Sequence, residues 1–198
     1  MRTATFQPKN KVKHKVPVGL QKSKEDIIQL ILADHKPLKT LLKVLKNPGQ
    51  HNLRSRKSTF EQFARLLLLH TKAEQESFYV FLKDEDKRLR VLGLEGDTEH
   101  GLVEQMVFDA KNTTEPDLWT AKTKVLAEFV EHHLDEEEET IFPHFKKESD
   151  LEDRILIGKQ YLDLKAHFKD EKTFLTVEEE EAIEGEKNRD YRPASLMQ

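Results

Sequence analysis

His70 with Glu74 and His133 with Glu137 are two copies of one device, a nitrogen donor and an oxygen donor four residues apart. On an α-helix, residues i and i+4 lie one above the other on a single face, so an imidazole and a carboxylate at this spacing can reach the same point in space. One such pair is chance spacing in a glutamate-rich chain. Two copies in matching frames are more telling: Glu76, Phe78 and Tyr79 follow the first, and Glu138, Glu139, Ile141, Phe142 and Pro143 follow the second. The repetition points to a metal site built between helices.

The composition narrows what kind of metal site this is. With no cysteine among the 198 residues, disulfides, thiolate zinc sites, iron–sulfur clusters and cysteine nucleophiles are excluded together. Any metal must be held by nitrogen and oxygen, and imidazole with carboxylate suits iron, zinc, manganese or copper. The hydrophobic share is 36% and the charged share 35%, which fits amphipathic helices with a narrow buried stripe and a broad solvated surface. No apolar run approaches the roughly 20 residues of a membrane span, and Leu66 to Leu69 is the longest candidate. The chain start is basic but lacks the apolar middle of a secretory signal, so a cytoplasmic protein is expected. A net charge of −4 makes no global case for nucleic acid.

The elements that must position the donors are legible as periodic segments. Residues 1–22 contain Pro8, Pro17, Gly19 and five lysines, and read as a basic flexible arm with no nucleic-acid partner expected. A first helix is predicted from a Ser23 cap to Asn47, with the seam Ile28, Ile31, His35, Leu38, Leu42, Leu45 and a bend at Pro37. A second is predicted from Ser58 to about Arg90, opened by the capping box Ser58-Thr59-Phe60-Glu61 and carrying Phe63, Leu67, His70, Glu74, Phe78 and Phe81 on one face. Gly93 to Asp97 should break the pattern before a third helix, Thr98 to Lys111, with His100, Val103 and Val107 inward. Glu115-Pro116 opens a fourth, which carries Leu126, Val130, His133, Glu137 and Ile141 until Pro143 bends or ends it. A fifth segment, 151 to about 174, contains Ile155, Leu162 and Phe168, and an acidic tail follows from 176 to 198. Nothing has period two. The expected fold is all-α, an up-and-down antiparallel four-helix bundle over 23–149 with an additional C-terminal helix over 150–175 and flexible tails.

Each of the four bundle helices then carries one inward imidazole: His35, His70, His100 and His133. Leaving such groups unpartnered in a core costs about 1 to 3 kcal/mol each, and a bound metal removes the conflict. His132, one residue off the seam, reads as a surface partner of Glu136, and Glu104 as exposed. Tyr79 reads as packing at the rim of the pocket, within reach to donate a hydrogen bond to a bound ligand.

Asp34-His35-Lys36-Pro37-Leu38, His70-x-x-x-Glu74, Glu99-His100 and His133-x-x-x-Glu137-Glu138-Glu139 with Ile141-Phe142-Pro143 resemble the hemerythrin-like HHE cation-binding domains, over about residues 24–146. The resemblance implies a non-haem di-iron centre bridged by two glutamates and capped by histidines. Its metal ligands here would be His35, His70, Glu74, His100, His133 and Glu137. Oxygen-carrying hemerythrins place a His-x-x-x-His pair on the third helix, whereas this chain has Gly96 four residues before His100. Two bridging carboxylates, one bridging oxygen and four shared histidines would leave each iron five-coordinate, unless Glu99, Glu104 or water fills the remaining position. The functional expectation is a centre of two iron ions, with manganese or zinc fitting the same donors, that binds O2, NO or peroxide for sensing, carriage or protection. A di-iron oxidoreductase or peroxidase-like catalyst and an iron-delivering repair factor are the alternatives, followed by a helical interaction protein with one structural metal or none.

Overall fold

The computed structural model describes residues 25–84 and 87–170, all of whose regular structure is helical. The basic arm, the proposed Ser23 cap and the acidic tail lie outside the described residues. The helices are α1 (Ile27–Lys46), α2 (Leu53–Gln75), α3 (Phe78–Asp84), α4 (Lys87–Lys111), α5 (Pro116–Glu136), α6 (Phe142–Glu148) and α7 (Leu151–Asp170), with a five-residue π turn, Glu137–Ile141, between α5 and α6. Helix α1 packs on α2 and α5, and α4 on α2 and α5, which closes a four-helix ring, while α7 lies against α1 and α2.

The caps explain most of the boundaries. Asp26 caps α1 by accepting from Ile28 N–H at 3.0 Å, and the helix runs through Pro37 without a break. Glu115 accepts from the amides of Asp117 and Leu118, and Pro116 occupies the first turn of α5, as the sequence indicates. Helix α2 departs from expectation. Its cap is Asn52, whose side chain accepts from Ser55 N–H at 2.8 Å, and Ser58 lies exposed inside the helix. The reason is tertiary: Arg56 and Phe60 are both buried against Trp119, the guanidinium 5.2 Å over its ring and the phenyl edge-on at 5.7 Å, so extending the helix backwards covers apolar surface.

The long second helix expected to Arg90 is also divided. It stops at Gln75, turns through Glu76 and Ser77, and resumes as α3, which buries Tyr79 and Leu82 in place of Phe81. Gly93 and Gly96, read as a break, instead lie inside α4. A Cβ at Gly93 would stand 3.0 Å from Leu82 Cβ, and one at Gly96 only 2.6 Å from the Tyr79 ring, so both glycines permit the close approach of α3 to α4. Lys83 and Asp97 form an ion pair across the same contact. On α7 the buried face is Arg154, Ile157, Tyr161 and Phe168, and Leu162 is exposed.

The core divides into two apolar clusters. One contains Leu38, Leu67, Val103 and Val130, and the other Ile31, Ala73, Leu89 and Ile141. The seam histidines fall between these two sets on every helix of the ring: His35 after Ile31 and before Leu38, His70 between Leu67 and Ala73, His100 between Leu89 and Val103, and His133 between Val130 and Ile141. A polar layer is thereby sealed between two apolar ones.

Candidate metal centre

All six residues singled out in the sequence reach that layer, and each is at most 1% exposed. They form two overlapping groups. His35, His70, Glu74 and Glu137 make one, and Glu74, His100, His133 and Glu137 the other, with the donor atoms in each group within 4.8 Å of one another. The two glutamates belong to both. Glu137 turns Oε2 toward His35 Nε2 at 3.2 Å and Oε1 toward His133 Nε2 at 3.9 Å. Glu74 Oε2 lies 3.3 Å from His70 Nε2 and 3.6 Å from His100 Nε2.

Outward-facing partners aim these rings. His35 Nδ1–H donates to Glu138 Oε1 at 2.7 Å, His133 Nδ1–H to Glu99 Oε2 at 2.6 Å, and His70 Nδ1–H to the Tyr161 hydroxyl at 3.1 Å. With Nδ1 committed, each imidazole presents the lone pair of Nε2 inward, the tautomer that binds a cation. Glu99 and Glu138 were not expected in this role, although each sits beside a seam residue in the chain. Glu104 and His132 are exposed and take no part, in line with the sequence reading.

The π turn makes the second motif work. Pro143 has no N–H to return to the Glu139 carbonyl, and Phe142 N–H bonds instead to the Glu137 carbonyl five residues back. The added residue lets Glu137 face the site, Glu138 face His35, and Phe142 and Phe145 still turn inward to pack on Phe78. The helical run therefore does not end at Pro143, and α6 continues to Glu148.

The electrostatics are those of a charged cluster without its counterion. Burial, then the neighbouring charge of Glu137, pushes the Glu74 carboxyl well above its usual range. Burial works against ionised Glu137 too, yet the His133 charge and the His35 imidazole 3.2 Å away hold it low. Burial pulls His70 down to about 4 and His100 well below an ordinary imidazole, with the charges of neighbouring histidines adding to it. Burial also opposes the charged form of His133, but Glu137 and Glu99 raise it above the usual value. The Nε2 atoms of His100 and His133 face each other at 2.9 Å, and with His133 Nδ1–H given to Glu99 the donor between them is His100 Nε2–H.

Several buried donor atoms have no hydrogen-bond partner: Nε2 of His35 and His70, both oxygens of Glu74 and Oε2 of Glu137. Unpartnered atoms of this kind are rare because each costs about 1 to 3 kcal/mol. Here they converge on the two shared positions, which is the arrangement a pair of cations would satisfy. A family profile, the hemerythrin HHE cation binding domain, matches residues 26–145. The chain belongs to this family. No curated relative and no solved structure matches the chain.

The hemerythrin-like bundle of this chain differs from the oxygen carriers at Gly96, where the space beside the site is taken by Tyr79. Its ring packs over the glycine, 5.0 Å between centroids from His100, and its hydroxyl donates to Glu137 Oε1 at 2.5 Å. The sequence reads Tyr79 as packing at the rim of the pocket with a hydroxyl within reach of a bound ligand; it is fully buried, and its hydroxyl is taken by a site carboxylate. Burial, then the Glu137 charge, raises its pKa well above the ordinary phenol value, so it stays protonated as a donor in the metal-free protein.

Proposed function

We propose that this hemerythrin-like protein holds a non-haem di-iron centre through His35, His70, Glu74, His100, His133 and Glu137, and engages O2, NO or peroxide there for sensing, carriage or protection. One observation carries the reading: six buried donors fall into two groups that share both carboxylates. Sharing is what a pair of adjacent cations requires, because a single cation would leave two imidazoles idle. Carboxylates and imidazoles together suit iron, and manganese and zinc fit the same donors.

Iron bound here supplies redox chemistry and open coordination positions for a small ligand. The protein's own contribution is to fix the donors and exclude bulk water. Glu99, Glu138 and Tyr161 orient three of the imidazoles, Tyr79 holds Glu137, and the apolar clusters above and below keep the layer dry. Among the described residues no helix is long and apolar enough to cross a membrane.

The test is spectroscopic. Protein loaded with ferrous iron under argon should develop ligand-to-metal absorption in the visible or near-ultraviolet on exposure to air, peroxide or NO, and Glu137→Ala protein treated identically should not. An unchanged spectrum in the wild type with every ligand would overturn the proposal. Peroxide turnover well above that of free iron would move the assignment to the alternative, a di-iron oxidoreductase.

A further inference from the structure

The family match ends at residue 145, but the polar layer draws one of its supports from beyond it. His35 and His133 are oriented by carboxylates, Glu138 and Glu99, that lie inside the matched segment. His70 is not. The nearest carboxylate, Asp34, stands 3.8 Å from its Nδ1, too far for a hydrogen bond, and the Tyr161 hydroxyl of α7 fills the gap at 3.1 Å.

The direction of the chain of bonds follows from its far end. Tyr161 Oη–H donates to Asp34 Oδ2 at 2.5 Å, and Asp34 also accepts from the Lys165 ammonium. With its proton committed to the carboxylate, the phenol oxygen can only accept from His70 Nδ1–H. That fixes the tautomer in which His70 Nε2 faces Glu74. Tyr161 is fully buried, and its helix is anchored where it meets the start of α1. Arg154 Nε donates to Asp26 Oδ2 at 2.9 Å, and a Cβ at Gly158 would stand 1.9 Å from the Glu25 carbonyl oxygen, so only glycine allows the two backbones to meet there.

We propose that α7 is a working part of the metal centre: Tyr161, held by Asp34 and Lys165, is the positioning residue for His70, so the His35–His70–Glu74–Glu137 site depends on this helix while the Glu74–His100–His133–Glu137 site does not. This rests on the two-cation reading above. Each site has one carboxylate-backed histidine, His35 in the first and His133 in the second, so the step that depends on α7 is the one that loss of the Tyr161 hydroxyl weakens.

The experiment is a stepwise Zn(II) titration of the full-length, metal-stripped protein, followed by calorimetry, for wild type, Tyr161→Phe, Lys165→Met and the exposed control Lys159→Met, with thermal unfolding of each metal-free protein alongside. Wild type should take up two ions in two resolvable steps. Tyr161→Phe should weaken one step about 10- to 100-fold, the range for loss of a group that orients a metal-bound histidine, and leave the other within about twofold. Lys165→Met, at a partly buried position, should weaken the same step by a smaller factor, and Lys159→Met should change neither. Loss of both steps in proportion to thermal stability, or no change in either step, would overturn the proposal. Failure of the wild type to bind two ions would instead remove the reading beneath it.

Discussion

The Tyr79 hydroxyl donates to Glu137 Oε1 across 2.5 Å while its ring covers Gly96, so one side chain occupies the space the missing third-helix histidine would need and holds a shared carboxylate in place. This makes Gly96 a packing requirement. Gly96→Ala would put a methyl 2.6 Å from a ring carbon that has no flexible end to move, and should destabilise the metal-free protein by about 1 to 3 kcal/mol, as overpacked cores generally do. Urea unfolding measures it, and a change within experimental error would show that Tyr79 is free to move.

Removal of a shared carboxylate should separate stability from binding. Glu74 is fully buried, and neither of its oxygens has a hydrogen-bond partner. Glu74→Leu should therefore raise the unfolding free energy of the metal-free protein by roughly 1 to 3 kcal/mol, the penalty typical of such a group, while abolishing uptake of both ions. Loss of stability together with retained uptake would contradict the assignment of Glu74 to both sites.

Register is tested by neighbours. Glu137→Ala should lower metal content sharply and Glu136→Ala should leave it unchanged, because Glu137 is buried in the site and Glu136 belongs to neither donor group. Equal loss from both would mean that the helix presents a different face.

Acid sensitivity of the metal-free protein follows from His70. Burial lowers its pKa to about 4 from the 6.5 of an ordinary imidazole, so the unfolded chain takes up a proton at higher pH than the folded one. Stability from this group is complete above pH 6.5 and is lost as the pH falls toward 4, a loss of about 3 kcal/mol at the usual 1.36 kcal/mol per pKa unit. His100 acts in the same sense, whereas His133, raised by Glu137 and Glu99, acts oppositely: its contribution is present at low pH and fades as the pH climbs through its folded-state value. Glu74, raised by burial and by Glu137, gains stability as the pH falls and offsets one of the two lowered imidazoles, so urea midpoints should fall between pH 6.5 and pH 4.5. A bound cation competes with these protons, so metal affinity should rise with pH over the same interval and loading should acidify a weakly buffered solution.

The six donors were legible because helical seams are written locally. An imidazole at a position such as His35, three or four residues from Ile31 and Leu38, can only face the core if the helix forms at all. What was not legible depended on contacts distant in the chain. The start of α2 at Asn52 rather than Ser58 follows from Trp119, which buries Arg56 and Phe60 from another helix. Gly93 and Gly96 read as a break because isolated helices disfavour glycine; the cost is offset by the approach of Tyr79 and Leu82, which no local pattern records. The π turn had only Pro143 as a signal. Tyr161 had none, since its fitness to orient His70 depends on Asp34, a residue 127 positions earlier in the chain.

Iron analysis of the full-length protein purified without chelator, after anaerobic loading and removal of free metal, tests the central claim most directly. The account predicts two iron ions per chain in wild type and none firmly held in the Glu74→Leu variant. Saturation at one ion per chain, or metal content that survives loss of Glu74, would contradict a centre built on shared carboxylates.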